Sequence, residues 1–178
     1  MNFLKSIILI PGLFCTQAMA ATISWDVTNY SADPGEIFTL DIIGTGFSGN
    51  VDGGGINLSF DASVVTILSV SIDEAVWDFG NSAGSLDNVG GTLDGLMVNT
   101  FNDVTGEYVV ATVEFQAVGP GISALTLSEF DLNPWASGGS MVNPDFVSAS
   151  VGVVPLPPAI WLFGAGIITL AGMRRRRS

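Results

Sequence analysis

The stretch SIDEAVWDFG, Ser71 to Gly80, sets three carboxylates around an indole: Asp73, Glu74 and Asp78 beside Trp77. Two carboxyl groups next to an aromatic platform are the working parts of a glycosidase, one as proton donor and one as nucleophile or base. The reading taken for these residues is instead a solvated acidic edge with Trp77 turned into a core, because nothing in their spacing holds two carboxyls at a working separation. Composition removes most other chemistry. The chain has no histidine and one cysteine, Cys15. Its five basic residues are Lys5, Arg174, Arg175, Arg176 and Arg177, so no Lys or Arg stands between the two ends. That excludes from the long middle region a Ser-His-Asp or Cys-His nucleophile, a lysine Schiff base, an arginine phosphate clamp and a Cys/His zinc site.

Calcium is the one cofactor this residue set suits, since a hard cation needs only carboxylate, amide and carbonyl oxygens. The candidate ligands are Asp52, next to Asn50, and Asp103 with Glu107 in NTFNDVTGE. Neither group has the spacing of an EF-hand, and Asn/Asp/Gly clusters of this kind more commonly just make polar turns. Aromatic side chains offer a second kind of site. Among Trp25, Tyr30, Trp77, Tyr108 and Trp135, Trp135 lies in the turn-rich DLNPWASGG and is expected to be exposed. An exposed indole stacks on a sugar ring, which makes Trp135 the candidate carbohydrate contact.

All 17 acidic residues lie between Asp26 and Asp145. The net charge of −12 is therefore 5 − 17 for the whole chain and 0 − 17 for its middle. Such a surface repels phosphate backbones, which excludes nucleic acid as a partner. No internal Lys or Arg salt bridge can form there, so stability rests on apolar burial and backbone hydrogen bonds.

The elements that position these residues read as β throughout. Ile23, Trp25 and Val27 alternate with polar residues, as do Phe38, Leu40 and Ile42, and Ile56, Leu58 and Phe60. Leu68, Val70 and Ile72 follow, then Val109, Ala111, Val113, Phe115 and Ala117, and finally Val147, Ala149, Val151 and Val153. Period two is the mark of strands buried on one face. Turns rich in Gly, Asp and Pro separate them, and no stretch of this region has an amphipathic helical period. The pattern predicts one all-β domain over residues 21–153, an antiparallel β-sandwich of about eight or nine strands with sheet-switching connections. The polar stretch from Asn81 to Thr92 is expected to be a long surface loop.

The two flanks carry addresses. Residues 1–20 combine Lys5, an apolar stretch from Ile7 to Phe14, and the small-x-small site Ala18-Met19-Ala20, which reads as a secretory signal cut before Ala21. The bulky Leu13-Phe14 before Cys15 argues against lipidation. Residues 154–178 hold Val154-Pro155-Leu156-Pro157-Pro158, an apolar run from Ala159 to Met173, and the four arginines. As a helix that run is about 22 Å long, against ~30 Å of bilayer hydrocarbon. It spans only marginally, with the arginines held on the cytoplasmic side. The prolines keep the preceding segment extended at the outer surface, open to a protease.

This proline motif, short apolar helix and arginine cluster closely resemble a PEP-CTERM sorting signal of the Val-Pro-Leu-Pro type. The resemblance implies an exosortase as processing partner, transient residence in the inner membrane, and delivery to the cell surface or extracellular matrix. A second resemblance lies in the middle. PGEIFTLDIIG (Pro34 to Gly44), GGGINLSFDASVVTILSVSID (Gly53 to Asp73) and GEYVVATVEFQAVGPGISALTL (Gly106 to Leu127) resemble, in order and spacing, the strands of a cohesin domain. That implies the jelly roll that cohesins share with certain carbohydrate-binding modules.

Two functions follow as expectations. One is a non-enzymatic, exopolysaccharide-associated protein of the surface or matrix. The other is a binding module, either for carbohydrate through Trp135 or for a protein partner in the manner of cohesins.

Overall fold

A computed structural model describes residues 20–154. The expectations placed on residues 1–19 and 155–178, including Ala18, Pro155, Leu156, Pro157, Pro158 and Arg174 to Arg177, lie outside the described residues. The described chain is built from strands: β1 (Thr22–Trp25), β2 (Asn29–Ala32), β3 (Ile37–Thr45), β4 (Val51–Ser59), β5 (Val65–Ser71), β6 (Ser82–Asp87), β7 (Thr92–Asn99), β8 (Tyr108–Ala117), β9 (Gly121–Glu129), β10 (Ala136–Ser137), β11 (Ser140–Met141), β12 (Asp145–Val147) and β13 (Ala149–Val153). Among the described residues no helix is long and apolar enough to cross a membrane.

The strands form two sheets. One has the order β12-β1-β3-β8-β5; the other runs β11-β10-β4-β9-β13-β2, with β7 on the remaining edge of β4 and β6 beyond it. The core lies between them. Ile23, Trp25, Leu40, Ile42, Ile67, Val113 and Phe115 face inward from the first sheet, and Ile56, Leu58, Leu93, Val98, Leu125 and Val151 from the second. Ile23, Trp25, Leu40, Ile42, Val113, Phe115, Ile56, Leu58 and Val151 are positions that period two assigns to the apolar face, and burial of this core is the main force holding the sheets together.

The architecture is a β-sandwich, as the alternation predicts, with four corrections. It is mixed rather than wholly antiparallel, because β1 pairs with β12 and β2 with β13 in parallel. Both pairs come from the same two segments, the first and last of the domain, which run side by side and switch together from one sheet to the other. Second, Asn81 to Thr92 is not a loop: it holds β6 and the turn into β7. Asp87 Oδ1 accepts the N–H groups of Val89 and Gly90, each at 2.9 Å, and closes a tight hairpin. β6 has no inward apolar row, so it carries no period to read. Third, Val27, Leu68, Val109 and Val147, assigned inward, are exposed. Leu68 is the extra residue of a bulge against β8, and Val110 is the extra residue against β3, so each strand changes phase there. Val27 and Val147 sit where the chain changes sheets. The fourth correction concerns Trp135 and is described with its site.

Candidate functional site

One end of the sandwich gathers most of the residues that the sequence marks out. There β4 begins beside the end of β7, with Gly53 opposite Asn99. The loop from Asp73 to Asn81 and the segment from Thr100 to Asp103 pack together at this end. Asp73 starts a tight turn: its Oδ1 accepts Ala75 N–H at 2.9 Å, and its carbonyl accepts Trp77 N–H at 2.8 Å. The turn drives Trp77 into the core, where it is fully buried and its Nε1 donates to the Val109 carbonyl at 2.9 Å. Thr100 Oγ1 donates to the Val76 carbonyl at 2.7 Å, and Asn81 Oδ1 accepts Asn99 N–H at 2.9 Å. Asn81 also donates to the Trp77 carbonyl.

This geometry answers the glycosidase reading. Trp77 presents no face to a ligand. Asp73 caps a turn, and Asp78 Oδ1 accepts Phe101 N–H at 2.9 Å. That bond holds the Asp78 carboxyl below its ordinary range. Asp73 and Asp78 are thus engaged as hydrogen-bond acceptors for backbone amides, and the aromatic platform that the glycosidase reading needs is inside the core. Glu74 and Asp78, with Trp77, Gly80 and Asn81, line a shallow cleft of about 340 Å³, and a smaller one of about 180 Å³ adjoins it between Val70, Ile72 and Ser82.

At the rim of this end stand two aromatic residues that the strand pattern leaves aside, Phe79 and Phe101. They are 56% and 79% exposed, with ring centroids 4.8 Å apart and planes tilted by 51°. Their signal in the sequence was present but weak: each is an aromatic residue set in a polar, turn-rich stretch, out of phase with any strand.

The candidate calcium ligands lie at the same end. The structure brings the two proposed turns together, with Asn50 Nδ2 donating to Asp103 Oδ1. Asp52 Oδ2 accepts Gly139 N–H at 2.7 Å, and its backbone carbonyl accepts Thr100 N–H at 2.9 Å. Glu107 is exposed. Among the described residues no three Asp, Glu, His or Cys side chains gather in a metal-binding group.

Trp135 is the fourth correction. Expected at the surface, it is 0% exposed. The chain leaves β9 at Glu129, turns through Phe130 to Pro134, and folds the indole into the core. The reason lies in Gly53-Gly54-Gly55 of β4. A methyl group on Gly54 would come within 2.1 Å of Trp135 Cδ2, so only glycine leaves room for the ring. Phe47 packs against Trp135 and Tyr108, with centroids 5.6 and 5.8 Å away, and Tyr108 meets Trp77 edge-on at 5.5 Å. The indole is therefore part of a buried aromatic cluster and cannot stack on a sugar while the fold is closed.

Tyr108 carries a cost within this cluster. Its hydroxyl is buried with no hydrogen-bond partner among the described residues. Burial pushes the phenol above its ordinary range. Because the folded protein resists ionising this phenol, stability is unaffected by its titration below the unfolded pKa of about 10 and falls as pH rises beyond that value. Tyr108→Phe is thus expected to be neutral or stabilising by about 1 kcal/mol at pH 7. It should also reduce the loss of stability above about pH 10. Thermal melts of both proteins at pH 7 and at alkaline pH check this, and a clear destabilisation at pH 7 would show that the hydroxyl has a partner.

No family model matches the sequence, and no curated protein matches it. Solved structures do match the fold. A type I cohesin–dockerin complex from Clostridium thermocellum aligns with a TM-score of 0.64 at 13% identity, covering 76% of this chain and 100% of that one. The solution structure of a cohesin from Clostridium acetobutylicum aligns at 0.58 and 18% identity, over 75% and 91%. A non-cellulosomal cohesin from the hyperthermophilic archaeon Archaeoglobus fulgidus aligns at 0.57 and 14%, over 76% and 92%. The described domain therefore has the cohesin fold.

Proposed function

We propose that this chain is a non-enzymatic, exported binding module of the cell surface or extracellular matrix, delivered through its C-terminal sorting signal. The observation that carries this reading is the tail: the Val-Pro-Leu-Pro motif begins at Val154, directly after β13 ends at Val153. A protease acting there would cut outside every strand and leave the sandwich whole. The cohesin fold supports a protein partner, since the Clostridium thermocellum cohesin is seen in complex with a dockerin. The middle region's lack of His, Cys, Lys and Arg supports binding over catalysis. With Trp135 in the core, carbohydrate binding has lost the residue that suggested it.

The test is intact-mass measurement of protein recovered from cells with and without an exosortase. The expected dominant species ends near Pro155 to Pro158 and appears only when the exosortase is present. Replacing Arg174 to Arg177 with serine should abolish processing, because the clustered charge fixes the tail's orientation in the membrane. A dominant membrane-bound form that keeps all four arginines would instead make the tail a permanent anchor.

A further inference from the structure

We infer that the end of the sandwich bearing Phe79 and Phe101 is a docking site for a basic protein segment, one that presents an arginine or lysine to the aromatic pair and to the carboxylates of Glu74 and Asp78. This deepens the protein-binding reading above and rests on it for the class of partner.

The placement comes from strand register. β13 ends with Val153 opposite Gly121, the first residue of β9. From there β9 runs nine residues to Glu129, opposite Ile56, and β4 continues past it to Gly53 and Asn99. The segment leading to the tail thus leaves one end of the sandwich. Phe79 and Phe101 stand at the other, about 36 Å away at ~3.3 Å per strand residue. The aromatic pair is therefore at the end remote from the tail, clear of the segment that the processing enzyme engages.

The partner's chemistry comes from charge and ring geometry. Every charged side chain between Asp26 and Asp145 is acidic. An anionic partner is repelled and a cationic one is drawn in over the whole surface. Exposed phenylalanine faces bind cations through their ring quadrupole, and arginine is the side chain most often found there. Asp78 joins the two rings: it precedes Phe79 in sequence and accepts the N–H of Phe101, so a carboxylate is held at the base of the pair. The 51° tilt between the rings gives no single flat face for two successive sugar rings, which favours a side chain as occupant over a glycan. Neither ring is needed for the core, yet both are held in place by backbone bonds, Phe79 N–H to the Asn99 carbonyl at 3.1 Å and Phe101 N–H to Asp78.

The experiment measures fluorescence anisotropy of a labelled octa-arginine peptide with the full-length chain in non-ionic detergent. Arg174 to Arg177 are replaced by serine throughout so that the chain's own cations do not compete. Binding is expected at about 0.15 M salt, where diffuse attraction between exposed charges is largely screened. Phe79→Ala with Phe101→Ala, which alters no charge, should weaken it roughly 5- to 30-fold. Glu74→Gln with Asp78→Asn should weaken it similarly. Asp33→Asn with Asp61→Asn removes the same charge at the opposite end, beside Val153 and Ser123, and should change it less than about 2-fold. Phe101→Ala alone, at a side chain already mostly in solvent, serves where the double variant misfolds by near-ultraviolet circular dichroism. Undiminished binding in the phenylalanine variants would overturn the site, as would an equal loss in the Asp33 and Asp61 control. Binding of chitosan oligomers with none of octa-arginine would overturn the choice of a protein segment. Tail processing is read separately by mass, so failure here leaves the sorting proposal standing.

Discussion

Replacing Trp135 with alanine is expected to lower the stability of the domain by about 3–5 kcal/mol, the range for emptying a large buried aromatic site. The indole is fully buried, lies against Gly54, and packs beside Phe47. A domain of this size has a total stability of only about 5–15 kcal/mol, so the variant should be close to unfolding at growth temperature. Trp135→Phe should lose much less. It keeps an aromatic ring in the cluster, and it removes a buried Nε1–H that has no acceptor among the described residues. Equilibrium urea unfolding of the three proteins decides the matter. A Trp135→Ala protein as stable as its parent would mean that the indole belongs to the surface, where a ligand platform would put it.

Gly54→Ala is the second large effect, and its sign runs against the general tendency. Alanine in place of glycine within a strand ordinarily helps, because glycine loses more backbone freedom on folding. Gly54 is not among the glycines with positive φ, so alanine meets no backbone obstacle there. The obstacle is Trp135, whose Cδ2, Cε2 and Cγ would all lie within 2.4 Å of the new methyl group. Overpacking of this kind costs about 1–3 kcal/mol, and a rigid indole with buried neighbours has little room to yield. The loss should shrink when Trp135 is replaced by leucine in the same chain, giving a coupling of about 0.5–3 kcal/mol in a double-mutant cycle. Gly53→Ala supplies the contrast. Gly53 has φ of 144°, a backbone conformation that favours glycine, so trimming Trp135 should not rescue it. Additive effects of Gly54→Ala and Trp135→Leu would remove the direct contact from the account.

The Gly53-Gly54-Gly55 run shows where sequence reading stops. It looks like a turn, since three glycines commonly make one, yet it lies inside β4. Glycine is there for close approach: Gly54 admits Trp135 on the inner face, and Gly55 admits Phe130 and Asn133 on the outer. Neither partner is near in sequence, so no local pattern announces them. Leu68 and Val110 show a second limit. A bulge is set by pairing with another strand, and alternation read along one strand passes straight through it. The hairpin of β6 and β7 shows a third, because a strand whose faces are both polar has no period to detect.

By itself the sequence determined the all-β class, the inward faces of β3, β4 and β13, and the chemistry open to the middle region. Those follow from short-range facts: side chains alternate across any strand, and a residue type that is missing can do no work. Trp25 was legible as core for the same reason, being in phase with Ile23. Only the tertiary structure decided that Trp135 is buried, that Asn50 and Asp103 meet, that the first and last segments run parallel, and that Phe79 and Phe101 form one exposed pair at the end remote from Val153. Each of these joins residues far apart along the chain, and it is the packing of two sheets over one core that brings them together.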